Sequence, residues 1–290
     1  MKYVIGLWLI FLSCPLAFAK EVPRSLEIYG SRSMAMGGAH RGIGTSNDTI
    51  YLNPAGMSLL KRYAIEGHYA YLPNQSVSEF NISALDSQLN VVAAGLAYSY
   101  ERVSSHIAQH RFYLALSYPI TEYILLGYTN QYRKGNVTNA EGNWVNQAGY
   151  SCDIGLMLPL GDMFRLGVTY HNLIDTTKVH TEPSALAFGI GITTELITLG
   201  FDFKYPLTNP FKHRVALATG AEYLLLNYFP IRIGYSREPY LDAQDAIHTE
   251  NILSGGIGWM IQGGGIDIAY RQSLTRKNLS TLLATLKLFL

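Results

Sequence analysis

The stretch HRFYLALSYP, residues 110–119, alternates between large apolar side chains and a second, more polar set. A period of two residues places successive side chains on opposite faces of a β-strand. The pattern therefore predicts a strand with one apolar face and one face that is partly polar or charged. The apolar face consists of Phe112, Leu114, Leu116 and Tyr118, and the opposite face of Arg111, Tyr113, Ala115 and Ser117.

The same alternation recurs in segment after segment from residue 62 to the end of the chain. Charged residues make up only 15% of the sequence, against about 25% in soluble domains, which is too few to coat a soluble β-sandwich of this length. Aromatic residues recur at the segment ends, as expected where strands cross a membrane interface. We therefore predict an all-β fold, a transmembrane antiparallel β-barrel of about 14 strands in the cell outer membrane. The expected strands begin near residues 62, 77, 90, 110, 122, 146, 163, 184, 197, 213, 229, 251, 264 and 279.

The connections between the expected strands differ in length. Bacterial barrels have short periplasmic turns and longer outer loops, so an outward first strand would place the two kinds of connection at opposite ends. The expected short connections are 119–122, 159–162 and 262–265. The expected long connections are 135–145, 174–183 and 238–250.

Residues 1–19 have the features of a cleaved signal peptide. Lys2 precedes an apolar run over residues 4–12, and Ala-Phe-Ala at 17–19 is a small-x-small cleavage site. A membrane anchor is the alternative, but the run is shorter than the roughly 18 apolar residues that a spanning helix needs. Removing Lys2 from the 22 basic residues leaves 21 against 21 acidic ones. This balance gives no indication of a nucleic-acid partner.

Residues 20–61 lie between the signal peptide and the expected barrel, residues 62–290. A barrel of about 14 strands leaves an open lumen, since about eight strands already fill with side chains. Residues 20–61 are rich in small side chains, and Asn53 and Pro54 are suited to cap and begin a short helix. We predict that they form an N-terminal plug inside the barrel. The alternative is a disordered periplasmic leader, which their aliphatic and aromatic content disfavours.

Two motifs in this segment, SMAMGGA and SNDTIYLNPAG, resemble the N-terminal signature of the FadL/OmpP1/TodX-like outer-membrane long-chain fatty-acid transporter superfamily. The resemblance implies a hatch inside the barrel and passive transport of hydrophobic or amphipathic, fatty-acid-like molecules, often through a side opening in the wall. Similar barrels act in type IX secretion (PorV-like), so an envelope protein partner or a structural role is the alternative. The residues that match the hatch motif are Met36, Gly37, Gly38, Ala39, Asp48, Asn53, Pro54, Ala55 and Gly56.

Ten charged residues are assigned to the small-residue face of the expected strands, which in a barrel faces the lumen. In one interpretation they pair with each other and tie the plug to the wall. In the other, an arginine among them receives a substrate carboxylate. Gly95 is in addition a candidate for a kink or bulge in the wall. The candidate lumen charges are Arg111, Asp153, Arg165, Asp202, Lys204, Arg214, Glu222, Arg232, Asp267 and Arg271.

The sequence carries no pattern that indicates an enzyme, a metal site or a cofactor. His106 and His110 are four residues apart, which along a strand is about 13 Å, too far for one metal ion. The stretch GIGTSND at 42–48 lacks the spacing of a phosphate loop or of Gly-x-Ser-x-Gly. The expected partners are outer-membrane lipid and a hydrophobic small-molecule ligand.

Overall fold

The computed structural model describes residues 29–103, 107–138, 144–176, 183–242 and 246–290. The expected signal peptide, His106 and most of the expected connection 174–183 lie outside the described residues. Among the residues that are described, no helix is long and apolar enough to span a membrane.

The strands form one closed antiparallel barrel in which each strand pairs with its sequence neighbours and β1 pairs with β14. All 14 expected strands are present, and the largest error in a start is four residues, at β12. The strands are β1 Tyr63–Leu72, β2 Val77–Asp86, β3 Ala93–Val103, β4 Ile107–Thr121, β5 Ile124–Thr138, β6 Trp144–Leu160, β7 Phe164–Asp175, β8 Ala185–Thr193, β9 Ile197–Pro206, β10 Ala216–Leu225, β11 Phe229–Leu241, β12 Ile247–Ile261, β13 Gly264–Ser273 and β14 Ser280–Phe289.

The two faces of the wall follow the alternation in the sequence. Large apolar side chains point outward and are exposed along every strand pair, as with Phe112 and Leu114 on β4. The inward positions carry small or polar residues, many of them fully buried. An apolar exterior with all strand edges paired is the arrangement that hydrocarbon requires, because an unpaired backbone group is costly there.

Two of the expected long connections are mostly strand. In the stretch 238–250, β11 continues to Leu241 and β12 starts at Ile247, with Glu238 opposite Glu250. In the stretch 135–145, β5 runs to Thr138 and β6 begins at Trp144. Polar composition suggested loops, but a hairpin keeps its backbone hydrogen bonds beyond the apolar band of the wall. The connections expected to be short are short, at 122–123, 161–163 and 262–263.

Gly95 does not kink or bulge the wall. It lies in unbroken pairing on both sides, opposite Leu85 on β2 and Ala115 on β4. Its missing side chain has a different consequence, since a Cβ at this position would lie 2.8 Å from Ile50 of the N-terminal segment.

The N-terminal segment, residues 29–61, contains three short helical turns. They are α1 Ser31–Ala35, α2 Thr49–Leu52 and a 3₁₀-helix Pro54–Ser58. As the sequence predicts, Asn53 caps the last of these, with its Oδ1 accepting a hydrogen bond from the Ala55 amide at 3.3 Å, and Pro54 begins it.

We expect Ile268→Arg, midway along β13 on the exposed face, to lower the free energy of unfolding in lipid vesicles by about 2–4 kcal/mol. The reason is that a guanidinium would enter hydrocarbon. Ile247→Arg, at the first residue of β12, is the control and should cost no more than about 1 kcal/mol. Urea titration of both variants measures the difference, and equal losses would show that the exposed face does not meet lipid.

Candidate functional site

The N-terminal segment packs against a ring of glycines on the inner wall, which we call the glycine belt. Of the residues from 30 to 57, all except Arg32, Gly38 and Thr45 are buried. A Cβ at any belt glycine would lie 2.1–2.8 Å from an atom of this segment, closer than van der Waals contact allows. The belt covers nine strands and consists of Gly95, Gly127, Gly155, Gly167, Gly189, Gly191, Gly200, Gly220, Gly234 and Gly256.

The order of contacts shows the course of the segment. Ala35 lies against β12, Met36 against β10 and β11, Ala39 against β9, and Gly42 against β8. Residues 53–55 lie against β6 and β5. Several belt glycines are direct register partners across adjacent strands, including Gly200 with Gly220 and Gly220 with Gly234. The segment therefore follows the circumference of the barrel instead of crossing its axis once.

Hydroxyl groups of the wall donate hydrogen bonds to backbone carbonyl groups of the N-terminal segment. Thr129 donates to the Ile50 carbonyl at 2.9 Å, Thr169 to the Leu52 carbonyl at 3.1 Å, and Ser117 to the Ala55 carbonyl at 3.0 Å. These contacts matter because the segment has little regular structure, and buried carbonyls without partners would be costly.

The residues of the hatch motif join the parts of the segment to each other. Gly37 and Gly38, with φ of +68° and +89°, end α1 in left-handed backbone. The Asp48 carboxylate accepts the Ser33 amide at 2.9 Å. Asn53 Nδ2 donates to the Arg41 carbonyl at 2.9 Å and to the Leu156 carbonyl of the wall at 3.2 Å. Gly56 packs on Gly44, where a Cβ on Gly56 would lie 2.8 Å from the Gly44 Cα.

A buried cluster of alternating charges holds α1 to the wall, and we call it the α1 ion cluster. Arg32 donates to the two carboxylate oxygens of Glu222, from Nη2 at 2.6 Å and from Nε at 3.0 Å. Arg232 bridges Glu222 at 2.5 Å and Asp267 at 3.2 Å. Lys287 pairs with Asp267 at 2.7 Å, and each charge in the cluster thus has an opposite neighbour.

A second group of charges holds Arg41. Asp202 Oδ2 accepts the backbone amides of His40 and Arg41 at 3.0 Å and Arg41 Nη1 at 3.1 Å. Arg41 Nε donates to His171 Nε2 at 3.2 Å, and His171 Nδ1 in turn donates to Asp153 at 2.9 Å. Asp153 is therefore connected to the N-terminal segment by hydrogen bonds that run through His171.

The other candidate lumen charges have separate surroundings. Arg165 donates to the Ile43 carbonyl of the segment at 3.1 Å. Arg111 pairs with Glu101 on β3, and Arg271 donates to Thr281 at 3.3 Å. Lys204 lines the two cavities described below. Arg214 lies outside the strands and is exposed, because β10 begins only at Ala216.

A cavity of about 170 Å³ remains between the segment and β9–β14, and we call it the main cavity. Gly38 faces open space here, and small residues on β10, β11 and β12 create room. Apolar and charged groups share the lining, including Met34, Leu72, Phe211, Lys204 and Arg271. A minor cavity of about 40 Å³ lies on β4–β7 and shares Tyr29 and Lys204 with the main cavity.

The buried carboxyl group of Asp48 titrates abnormally. Burial, and after it the nearby Glu66 carboxylate, raise its pKa from 3.8 to about 6, against the opposing effects of Lys287 and the Ser33 hydrogen bonds. The charged form is therefore disfavoured inside the folded segment.

The chain matches no protein-family model and no curated protein. Its fold does match solved outer-membrane proteins. The Pseudomonas putida toluene transporter TodX gives a TM-score of 0.68 at 16% identity, over 92% of this chain and 98% of that chain. The CymD monoaromatic hydrocarbon channel gives 0.65 at 13% identity, over 92% and 98%. A Pseudomonas aeruginosa FadL homologue gives 0.62 at 12% identity, over 93% and 98%.

The closed barrel of 14 antiparallel strands thus has the fold of the FadL/TodX-like outer-membrane transporters. At this level of identity the likeness concerns the fold. Of these proteins, TodX is named as a transporter and CymD as a channel.

Gly220→Val should lower the free energy of unfolding by about 1–3 kcal/mol, because the added side chain would overlap Met36 of the N-terminal segment. Gly255→Val is the matched control on β12, since a Cβ there would meet nothing nearer than the Arg232 carbonyl oxygen at 3.6 Å. Thermal or urea unfolding in detergent compares the two variants. A loss in Gly255→Val as large as that in Gly220→Val would contradict the close packing of the segment.

The free energy of unfolding of Asp48→Asn, relative to that of the wild type, should increase as the pH rises from 4 to 7. The pKa of Asp48 is about 6 when folded and 3.8 ordinarily, so the wild type loses stability as the pH rises through this interval, and the asparagine variant does not. Unfolding curves at several pH values measure the difference between the two proteins. A difference that is constant from pH 4 to pH 8 would contradict the prediction.

Proposed function

We propose that this chain is an outer-membrane channel for the passive movement of small hydrophobic or amphipathic molecules. Residues 1–19 are the signal peptide, residues 62–290 the spanning barrel, and residues 20–61 the plug, or hatch, that gates the lumen. The observation that carries the proposal is the main cavity beside a segment that otherwise fills the inner wall closely. The hydrophobic and aromatic substrates named for TodX and CymD support the same class of solute.

The size of the main cavity favours a small solute at rest. A cavity of about 150 Å³ accommodates benzene, and the main cavity has about 170 Å³. A fatty-acid-like chain needs more room and would require the hatch residues near Gly38 to move. Lys204 and Arg271 at the cavity wall suit a solute with a polar or acidic end.

A structural barrel with a permanently closed lumen is the second candidate. The ten close contacts of the glycine belt and the α1 ion cluster favour it, because both oppose movement of the segment. A PorV-like role with an envelope protein partner is a further proposal, which co-purification from membranes in mild detergent tests.

Vesicles with lipopolysaccharide in the outer leaflet should take up toluene faster when they contain the protein than when they do not. Ala218→Phe, which fills the main cavity from β10, should return uptake to the level of empty vesicles. Ala284→Phe, on the exposed face of β14, is the control and should leave uptake unchanged. Uptake of oleate, measured in the same assay, shows whether the protein also passes a long-chain solute or only a ring-sized one such as toluene.

If vesicles with the wild-type protein take up both solutes no faster than empty vesicles, the protein is not a channel for them. That result would favour the structural barrel. Normal uptake by Ala218→Phe would show that the solute does not use the main cavity.

A further inference from the structure

The exterior of the barrel has a groove along β10, which we call the outer groove. The outward residues Thr219 and Ala221 of this strand are small, whereas their register partners on β9 and β11 are large. The difference in size leaves a space of about 390 Å³, and apolar side chains form most of its lining. The sides of the outer groove include Leu199 and Phe201 on β9 and Ile233 and Tyr235 on β11.

Three basic residues lie at the end of the outer groove that is remote from the short turn 226–228. Arg237 is the next outward residue of β11 after Tyr235, and it lies in register with Leu217 of β10. Lys212 and Arg214 belong to the connection 207–215, which joins β9 to β10 at this end. All three basic side chains are exposed, and none of them forms an ion pair within the described part of the chain.

Hydrogen bonds hold the connection 207–215 against the wall. The His213 amide donates to the Pro206 carbonyl at 3.1 Å, and the Leu207 amide donates to the Ser184 carbonyl at 2.7 Å. The His213 side chain is hydrogen-bonded to the hydroxyl of Tyr205, an outward residue of β9. The two basic residues that adjoin His213 in the sequence are therefore kept near the end of the outer groove.

The acidic residues of the same three strands face the interior of the barrel. Asp202 on β9 and Glu222 on β10 bind arginines of the N-terminal segment, and Glu238 on β11 lines the main cavity. The connection 207–215 contains no acidic residue. This end of the outer groove thus carries positive charge that no carboxylate on the outward face of β9, β10 or β11 neutralises.

We propose that the outer groove binds the lipid A part of lipopolysaccharide, with an acyl chain in the groove and a phosphate group on Arg237, Lys212 and Arg214. An acyl chain suits the groove because its lining is apolar. A phosphate suits the basic residues because a guanidinium group donates two parallel hydrogen bonds to it. Since short turns of bacterial barrels are periplasmic, the basic end lies in the outer leaflet, where this lipid is found. The proposal concerns the exterior of the barrel and does not depend on the channel function.

A second copy of this chain fits the outer groove less well than the lipid does. A twofold dimer brings the same surface of both copies together, so that Arg237 and the basic connection would lie close to their own counterparts. Like charges placed against each other oppose association. A phosphorylated lipid instead supplies the negative charge that this surface lacks.

The test measures the binding of bisphosphorylated lipid A to the delipidated protein in detergent, by native mass spectrometry over a range of lipid concentrations. We expect the wild type to bind one lipid molecule tightly. Arg237→Glu should weaken this binding by at least about tenfold, because it replaces a charge-assisted hydrogen bond with repulsion. Lys277→Glu, an exposed residue of the connection between β13 and β14 at the same end of the barrel, is the matched control and should bind as the wild type does.

Two further comparisons examine the acyl chain and the phosphate separately. Ala221→Phe, which fills the outer groove without a change in charge, should also weaken binding, whereas Ala284→Phe on the exposed face of β14 should not. Lipid A without its phosphates, and phosphatidylglycerol, should each bind the wild type more weakly than intact lipid A. Equal binding by Arg237→Glu and the wild type, or of all three lipids by the wild type, would overturn the proposal. A lipid-free dimer that Ala221→Phe dissociates would also overturn it, and would assign the groove to a second copy.

Discussion

The close approach between the N-terminal segment and the barrel wall is the constraint on which the rest of the structure depends. It requires glycine at ten inward positions on nine strands, because a Cβ at any of them would overlap the segment. With the segment this near, wall hydroxyls reach its carbonyls, and Arg32 and Arg41 reach carboxylates on β10 and β9. The cavities are the places where this contact is interrupted.

The barrel itself could be predicted from the sequence, since a period of two residues and scarce charge leave few alternatives for strands with an apolar exterior. Thr138 and Ile247 lie within strands that composition assigned to loops, because hairpin pairing depends on the partner strand and not on polarity. The displacement of Arg214 from the lumen has a related cause. The start of β10 is set by its pairing with β9, which begins at Ala216 opposite Lys204.

The contacts between the N-terminal segment and the wall were harder to predict from the sequence than the barrel. The belt glycines were visible as small residues on the polar face, but the reason for them, contact with the N-terminal segment, depends on how nine strands come together around it. Arg32, Arg41, His171 and Lys287 gave no local signal, since each acquires its partner from a distant part of the chain. The pairing of β6 with β7 is interrupted where Asp153 lies opposite three residues of β7, 171–173. This bulge was likewise hidden, because two extra residues in β7 preserve the alternation on both sides of it.

Residues 29–61 pack against the inner wall, and we propose that they keep the lumen closed. The most direct measurement is the ion conductance of single barrels in planar bilayers, with and without residues 31–58. We expect almost no conductance for the whole chain and a large, steady conductance for the shortened one, because a barrel of about 14 strands is too wide for its own side chains to fill. A shortened barrel that is folded and still does not conduct would show that residues 31–58 are not what closes the lumen.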